Sequence, residues 1–183
     1  MSGALYTDVL VAGLGPAGAC AAYEVARAGW SVHAIDRKTS AGVPVQCAEL
    51  VPGPIGLEIT DASATQRQPI RSMVTFVEDA SPDTMENFPG FMIDRHAFDE
   101  HLCAMAANEG ATCTFGTTVN SISPDGVVRL SNGAEVTARV IIGADGPNSV
   151  VGKSIGQVNR SVVETRQMTV ALKEPYFATD IFL

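Results

Sequence analysis

The chain has 183 residues, enough for one domain or for one domain and part of a second, which excludes a large multidomain assembly. Hydrophobic residues make up 46% and charged residues 17%, a balance able to bury a core, which argues against wholesale disorder. Lysine and arginine number 12 against 20 aspartates and glutamates, a net charge of −8, so the basic footprint needed to bind phosphate backbones is missing and no nucleic acid is expected as a partner.

Met1 to Thr7 lacks the basic start of a signal peptide, and the apolar stretch from Val9 to Ala28 is broken by glycines and Pro16 and carries Glu24 and Arg27. The expected location is cytoplasmic, compatible with peripheral contact with a membrane. Cys20, Cys47, Cys103 and Cys113 form no C-x-x-C pair and no cluster with histidine, so neither a zinc site nor a disulfide framework is expected and no metal ligand is assigned.

Asp8 to Ala12 reads as a buried strand running into the turn Gly13-Leu14-Gly15-Pro16-Ala17-Gly18. A helix of small residues follows from Ala17 to Ala28, ended by Gly29, and Ser31 to Ile35 is a second strand closed by Asp36. This is G-x-G-x-x-G with a strand before it, a helix after it and an acidic residue about 20 positions on, the pattern of an adenine-dinucleotide site. Gly13 permits the turn, Gly15 lets backbone approach a pyrophosphate, Gly18 lets helix and strand pack closely, and the helix start offers free N–H groups. Asp36 suits ribose hydroxyls. These residues do not decide between NAD and FAD.

Arg37 to Pro52 is irregular, unlike the helix and strand that a plain NAD dehydrogenase places there. Ile70 to Glu78 and Asn87 to Ile93 read as strands of an excursion sheet. Asp94 caps a helix whose Phe98, Leu102, Met105 and Ala106 face a core, and Gly110 ends it. Thr112 to Val119 is expected as one strand, followed by a meander with turns at Ser123-Pro124-Asp125-Gly126 and Ser131-Asn132-Gly133 around Val127 to Leu130. Val140 to Gly143 re-enters the buried sheet and leads into Ala144-Asp145-Gly146-Pro147-Asn148-Ser149. Strands are also expected at Arg166 to Leu172 and Thr179 to Leu183. An end on Ile181, Phe182 and Leu183 reads as a chain cut short in mid-strand.

The N-terminal dinucleotide motif, D-R-x-x-F-D at Asp94 to Asp99, the meander and G-A-D-G-x-x-S at Gly143 to Ser149 together resemble the glutathione-reductase-2 type of flavoprotein. That group includes aromatic hydroxylases and geranylgeranyl reductases. P-V-Q-C-A-E-L at Pro44 to Leu50 resembles the P-V-R-C-G-E-G segment of the geranylgeranyl reductase family. The fold class implied is α/β: a Rossmann-like FAD-binding domain with a parallel sheet, an antiparallel β-meander and the start of a substrate-domain sheet. Residues 1–52 and 94–158 would form the FAD-binding domain, and residues 53–93 and 159–183 a partial substrate domain.

The resemblance implies FAD contacts at Gly13, Gly15, Pro16, Ala17 and Gly18 for the pyrophosphate and at Asp36 for the adenosine ribose, with Arg37 alongside. Cys47, Ala48 and Leu50 would lie near the flavin ring, Arg95 would reach the cofactor, Val119 would offer backbone to the adenine side, and Asp145 and Gly146 would buttress the pyrophosphate region. Gln46, Ala48 and Leu50 depart from the family's arginine and two glycines, and side chains there would narrow the space beside the ring. Cys47 reads equally as a small packing residue or as a group beside the flavin; Cys20, Cys103 and Cys113 read as packing residues.

The activity implied is FAD-dependent reduction of carbon–carbon double bonds in an isoprenoid or other apolar lipid substrate, with NAD(P)H or a small electron carrier as reductant. An FAD monooxygenase of the aromatic hydroxylase type is the second reading. A non-catalytic dinucleotide-binding fragment, or one part of a split enzyme with a companion chain, is the third.

Overall fold

The computed structural model describes residues 5–55 and 62–182. In chain order its elements are β1 (Leu5–Ala12), α1 (Pro16–Arg27), β2 (Val32–Ile35), β3 (Leu50–Pro52), a 3-10 turn (Ala62–Thr65), β4 (Gln66–Phe76), β5 (Asp83–Ile93), α2 (Arg95–Asn108), β6 (Thr112–Thr114), β7 (Val119–Ile122), β8 (Val127–Leu130), β9 (Glu135–Gly143), α3 (Val150–Ser154) and β10 (Ala178–Phe182). They divide into two compact units, Met1–Val45 with Asp99–Glu164, and Gln46–Phe98 with Thr165–Leu183.

The first unit is built on a six-stranded sheet in the order β6-β2-β1-β9-β8-β7. β1 runs parallel to both β2 and β9, and β2 runs parallel to β6. A central parallel strand is covered on both faces, which is why Val9 to Ala12 is a continuous apolar run rather than an alternating one, with Leu10 and Val11 wholly buried. α1 buries Gly18, Ala19, Ala22 and Ala26, a face of small residues at spacings of three and four. β8 pairs antiparallel with β7 and β9 to form the expected meander. Ser123 and Val127 tie its first turn, the Val127 N–H donating to Ser123 Oγ at 3.0 Å, and Gly126 supplies the positive φ of 84° that the turn requires. Leu10, Ala12, Ile35, Val128, Leu130, Val136 and Val151 form the core, each large side chain stabilising by about 1.5–3 kcal/mol relative to exposure.

The second unit carries a four-stranded sheet in the order β10-β4-β5-β3. β5 is antiparallel to β3 and β4, whereas β10 joins the edge of β4 in parallel. Phe76 and Phe182 stack across that edge with ring centroids 4.6 Å apart.

Two expectations are corrected. Thr112 to Val119 is not one strand but β6 and β7, separated at Gly116 with φ +70°. There the Gly116 N–H donates to Lys38 O and the Thr117 N–H to Asp36 O, so the chain leaves the ladder to close over the end of β2. Arg166 to Leu172 has the alternation of a strand, yet it pairs with no strand among the described residues, and Met168, Val170 and Leu172 are 82%, 62% and 64% exposed. Alternating apolar residues make a strand only where a neighbour accepts their backbone hydrogen bonds. Of the expected strand at Thr179 to Leu183, β10 supplies all but Leu183, which lies outside the described residues.

Candidate functional site

The glycine turn is set by contacts a side chain would not survive. A Cβ on Gly18 would lie 1.8 Å from Gly13 O, and one on Gly13 would lie 2.1 Å from Ala144 O. Backbone on backbone at such distances leaves only glycine. The first contact presses α1 onto the end of β1. The second joins the turn to the Gly143–Ser149 loop that follows β9, and the Ala144 N–H donates to Ala12 O at 2.7 Å. A Cβ on Gly15, by contrast, would meet nothing within 4 Å. That open space lies at the N-cap of α1, where no side chain caps the helix and Pro16 takes the first position. Uncapped helix N–H groups and the positive end of the helix dipole suit an anion there, and Ala17 and Gly18 are the residues whose N–H groups follow.

Asp36 stands at the end of β2 and is tied to the same turn. Its Oδ2 accepts from the Leu14 N–H at 2.7 Å and its Oδ1 from the Lys38 N–H at 2.8 Å. Each carboxylate oxygen keeps a further lone pair for a ligand hydroxyl. Arg37, next to it, is exposed. The Asp145 carboxylate turns into its own loop, accepting from Ser149 Oγ and from the Val150 N–H at 2.6 Å, so that it caps the start of α3. Gly146 supplies the positive φ of 83° in that loop and is exposed. Val119 has its side chain in the core with Leu10 and Ala12, and its backbone pairs with Leu130.

The second unit brings Cys47, Ala48, Leu50 and Arg95 into one neighbourhood through a residue that the sequence reading did not single out. Leu50 pairs with Met92 in the antiparallel β3–β5 ladder, which sets Glu49 opposite Ile93. The Ile93 N–H duly donates to Glu49 O at 2.9 Å. Two residues past Ile93, α2 begins, with Asp94 as its N-cap: the Ala97 N–H donates to Asp94 Oδ1 at 3.1 Å, and Asp94 also pairs with Arg67. The Ala97 N–H, chiefly, holds the Asp94 carboxyl below its usual range. The Glu49 side chain adds a second cap, Oε1 accepting from the Arg95 N–H at 3.1 Å. On the other side the Glu49 N–H donates to Cys47 Sγ at 3.4 Å, and the Cys47 N–H donates to Gln167 Oε1 at 3.0 Å. The positive φ falls on Glu49, at 62°, and on neither Ala48 nor Leu50. Side chains at the two family glycine positions therefore carry no backbone strain. The signal that could have found Glu49 is the acidic residue shared by the two cysteine segments.

The remaining cysteines behave as packing groups. Cys103 is buried, its Sγ 3.8 Å from Leu14 O, and burial pushes its thiol up to about 12. Burial also raises Cys20 and Cys113.

Residues 56–180 match the model of a family described as FAD binding domain. The chain belongs to that family. The match begins after the glycine turn, so the turn points to a dinucleotide separately from the family, and the family makes that dinucleotide FAD. An uncharacterized protein in the nifH2 5' region of Methanosarcina barkeri is 34% identical over 81% of this chain and 87% of its own length. Digeranylgeranylglycerophospholipid reductase 1 of Methanosphaera stadtmanae is 35% identical over 83% of this chain. Among solved structures, a geranylgeranyl bacteriochlorophyll reductase-like protein from Thermoplasma acidophilum matches 99% of this chain at 26% identity with a TM-score of 0.82. The chain spans 41% of that reductase and 51% of that solved chain. These relatives bear out the resemblance to geranylgeranyl reductases, and the Rossmann-like α/β class with it. The open space at Gly15, the uncapped start of α1 and the acceptors of Asp36 fit the dinucleotide. No helix among the described residues is long and apolar enough to cross a membrane.

Proposed function

We propose that the chain is the FAD-binding part of an oxidoreductase of the geranylgeranyl reductase type, acting on carbon–carbon double bonds of an isoprenoid lipid. The observation that carries this reading is the 35% identity to a digeranylgeranylglycerophospholipid reductase over 83% of the chain. When bound, FAD supplies the two-electron chemistry. Gly13, Gly15, Pro16, Ala17 and Gly18 would hold its pyrophosphate, Asp36 with Arg37 its adenosine ribose and the Val119 backbone its adenine side, with the Asp145-Gly146 loop as support. Cys47, Ala48, Leu50 and Arg95 would be the groups nearest the flavin ring. The first unit is then the nucleotide-binding part and the second the beginning of a substrate-binding part. NAD(P)H or a small electron carrier would supply electrons, a companion polypeptide would complete the substrate site, and peripheral membrane contact would deliver the lipid.

The test begins with the visible spectrum of the chain after incubation with FAD and removal of free cofactor. Stoichiometric retained flavin is expected. The loaded chain is then reduced anaerobically and given a geranylgeranyl-chain glycerophospholipid, the product being read by mass spectrometry as a gain of hydrogens. Hydroxylated product that forms only with oxygen would favour the monooxygenase, and a folded chain that retains no flavin would count against binding by this part alone.

A further inference from the structure

We propose that Glu49 is the positioning residue of the cysteine turn, fixing Cys47 against the first turn of α2. The proposal deepens the reading of Cys47 and Arg95 as flavin-side groups, and rests on it for its functional meaning. Three separate atoms of Glu49 are engaged. Its carbonyl closes the β3–β5 ladder by accepting from the Ile93 N–H, its N–H donates to Cys47 Sγ, and its carboxylate accepts from the Arg95 N–H. Asp94 caps α2 one turn further in, at Ala97, and leaves the Arg95 N–H to Glu49.

The backbone gives an independent argument. Glu49 adopts φ +62°, a left-handed conformation that costs a non-glycine residue free energy and persists where surrounding contacts over-determine it. Glycine would adopt it without strain, so conformation alone does not explain a glutamate here. What the glutamate adds is the carboxylate that reaches the helix. The left-handed residue breaks the extended run of β3, turning Ala48 and Cys47 away from the line of the ladder, and the side chain pins the resulting turn 46 residues downstream. A charge-assisted bond at a helix N-terminus also gains from the helix dipole, which strengthens the pin.

The experiment measures the iodoacetamide alkylation rate of Cys47 in the folded chain without FAD, resolved by mass spectrometry, with Cys103 of the first unit as internal reporter of global unfolding and the Gln variant as the control for loosening of the second unit. Glu49→Ala and Glu49→Asp, the latter too short to reach the Arg95 N–H, are expected to raise the Cys47 rate about tenfold as the turn opens. Glu49→Gln keeps an oxygen acceptor of the right reach and is expected to stay within about threefold of the parent. This rescue separates positioning from a general loss of stability, and the Asp and Gln pair decides the matter if the Ala variant exposes Cys103. Unchanged Cys47 rates in Glu49→Asp with Cys103 protected, or a Gln variant as fast as Ala, would overturn the proposal. Addition of FAD to the parent chain separates the two ideas: slowing of Cys47 supports the flavin-side placement, and no slowing overturns that placement, while the tether itself is judged on the unloaded rates.

Discussion

The glycine turn at Gly13–Gly18 and the cysteine turn at Cys47–Leu50 are both tight reversals next to a helix start, yet they are specified in opposite ways. In the first, the constraint is what cannot be present: Cβ atoms at positions 13 and 18 would collide with backbone. In the second, the constraint is what must be present, a carboxylate that bonds to the N–H of Arg95. Steric exclusion by backbone tolerates no side chain, whereas a hydrogen-bonded tether tolerates any side chain with the right acceptor and reach.

The largest expected effect comes from breaking the first rule. Gly18→Ala and Gly13→Ala should each lose about 3 kcal/mol or more of stability, since the contact is with rigid backbone and Gly13 also has φ +102°. Gly15→Ala should change stability by no more than about 1 kcal/mol, because its Cβ meets nothing. It should nevertheless lose retained flavin if the pyrophosphate sits as proposed, because the methyl would enter that open space. Urea denaturation and flavin absorbance measure the two effects separately. A Gly15→Ala chain that keeps its flavin would remove Gly15 from the site.

Asp36 sharpens the contrast because it belongs to both kinds of rule. Its carboxylate bonds to the Leu14 and Lys38 N–H groups, so Asp36→Ala should cost about 1–3 kcal/mol through two unpaired donors, besides weakening FAD binding. Asp36→Asn retains one acceptor oxygen and should recover part of the stability. Flavin titration of the two variants at matched folded fraction tells whether the second oxygen matters to the ribose. Equal affinity in parent and Asn variant would assign Asp36 to the turn alone.

The difference between the turns also explains what was legible in the sequence. β1, α1 and β2 could be read because glycine spacing, a small-residue helix face and an apolar run are all local signals. The cap of α2 by Asp94 was readable for the same reason, as were both turns of the meander. Glu49 was not, because its role depends on the register of β3 with β5, which brings position 49 opposite position 93. Nor was the break at Gly116: nothing local tells a chain to leave its strand for Lys38 O and Asp36 O. The Arg166–Leu172 segment failed in the other direction, its local alternation being intact and its pairing neighbour missing among the described residues.

The cysteines give a smaller effect that bears on the same point. The thiol of Cys103, raised to about 12 by burial first and by nearby Cys113 and Asp99 after it, should stay unalkylated in the folded chain through about pH 9, where its thiolate is a trace species. Site-resolved labelling should therefore report Cys47 before Cys103, with Cys103 following only on unfolding. Labelling of Cys103 at the rate of Cys47 in native buffer would show that the first unit opens as readily as the cysteine turn.

The smallest effect expected is that of His33, on β2 beside the glycine turn's acidic partner. Its Nε2 bonds with Thr114 Oγ1 at 2.9 Å, while Nδ1 is buried with no hydrogen-bond partner among the described residues. Burial holds its pKa below the ordinary 6.5. Below pH 6.5 the unfolded chain therefore binds this proton more readily than the folded one, so the contribution of His33 is fully present above 6.5 and is lost as the pH falls through the folded value. The ring is only half-buried, so solvent screening keeps the effect small. Asp94 and Asp125 are held below 3.8, chiefly by bonds from Ala97 and Ser123, so their contributions are lost only in more acidic solution and leave the histidine window clear. Urea midpoints measured between about pH 7 and pH 5 should fall more steeply for the parent than for His33→Gln, whose amide does not titrate. Parallel curves for the two chains would mean that the Nδ1 proton is accommodated by the end of the sheet after all, and that β2 is held by its place between β1 and β6 rather than by the charge state of His33.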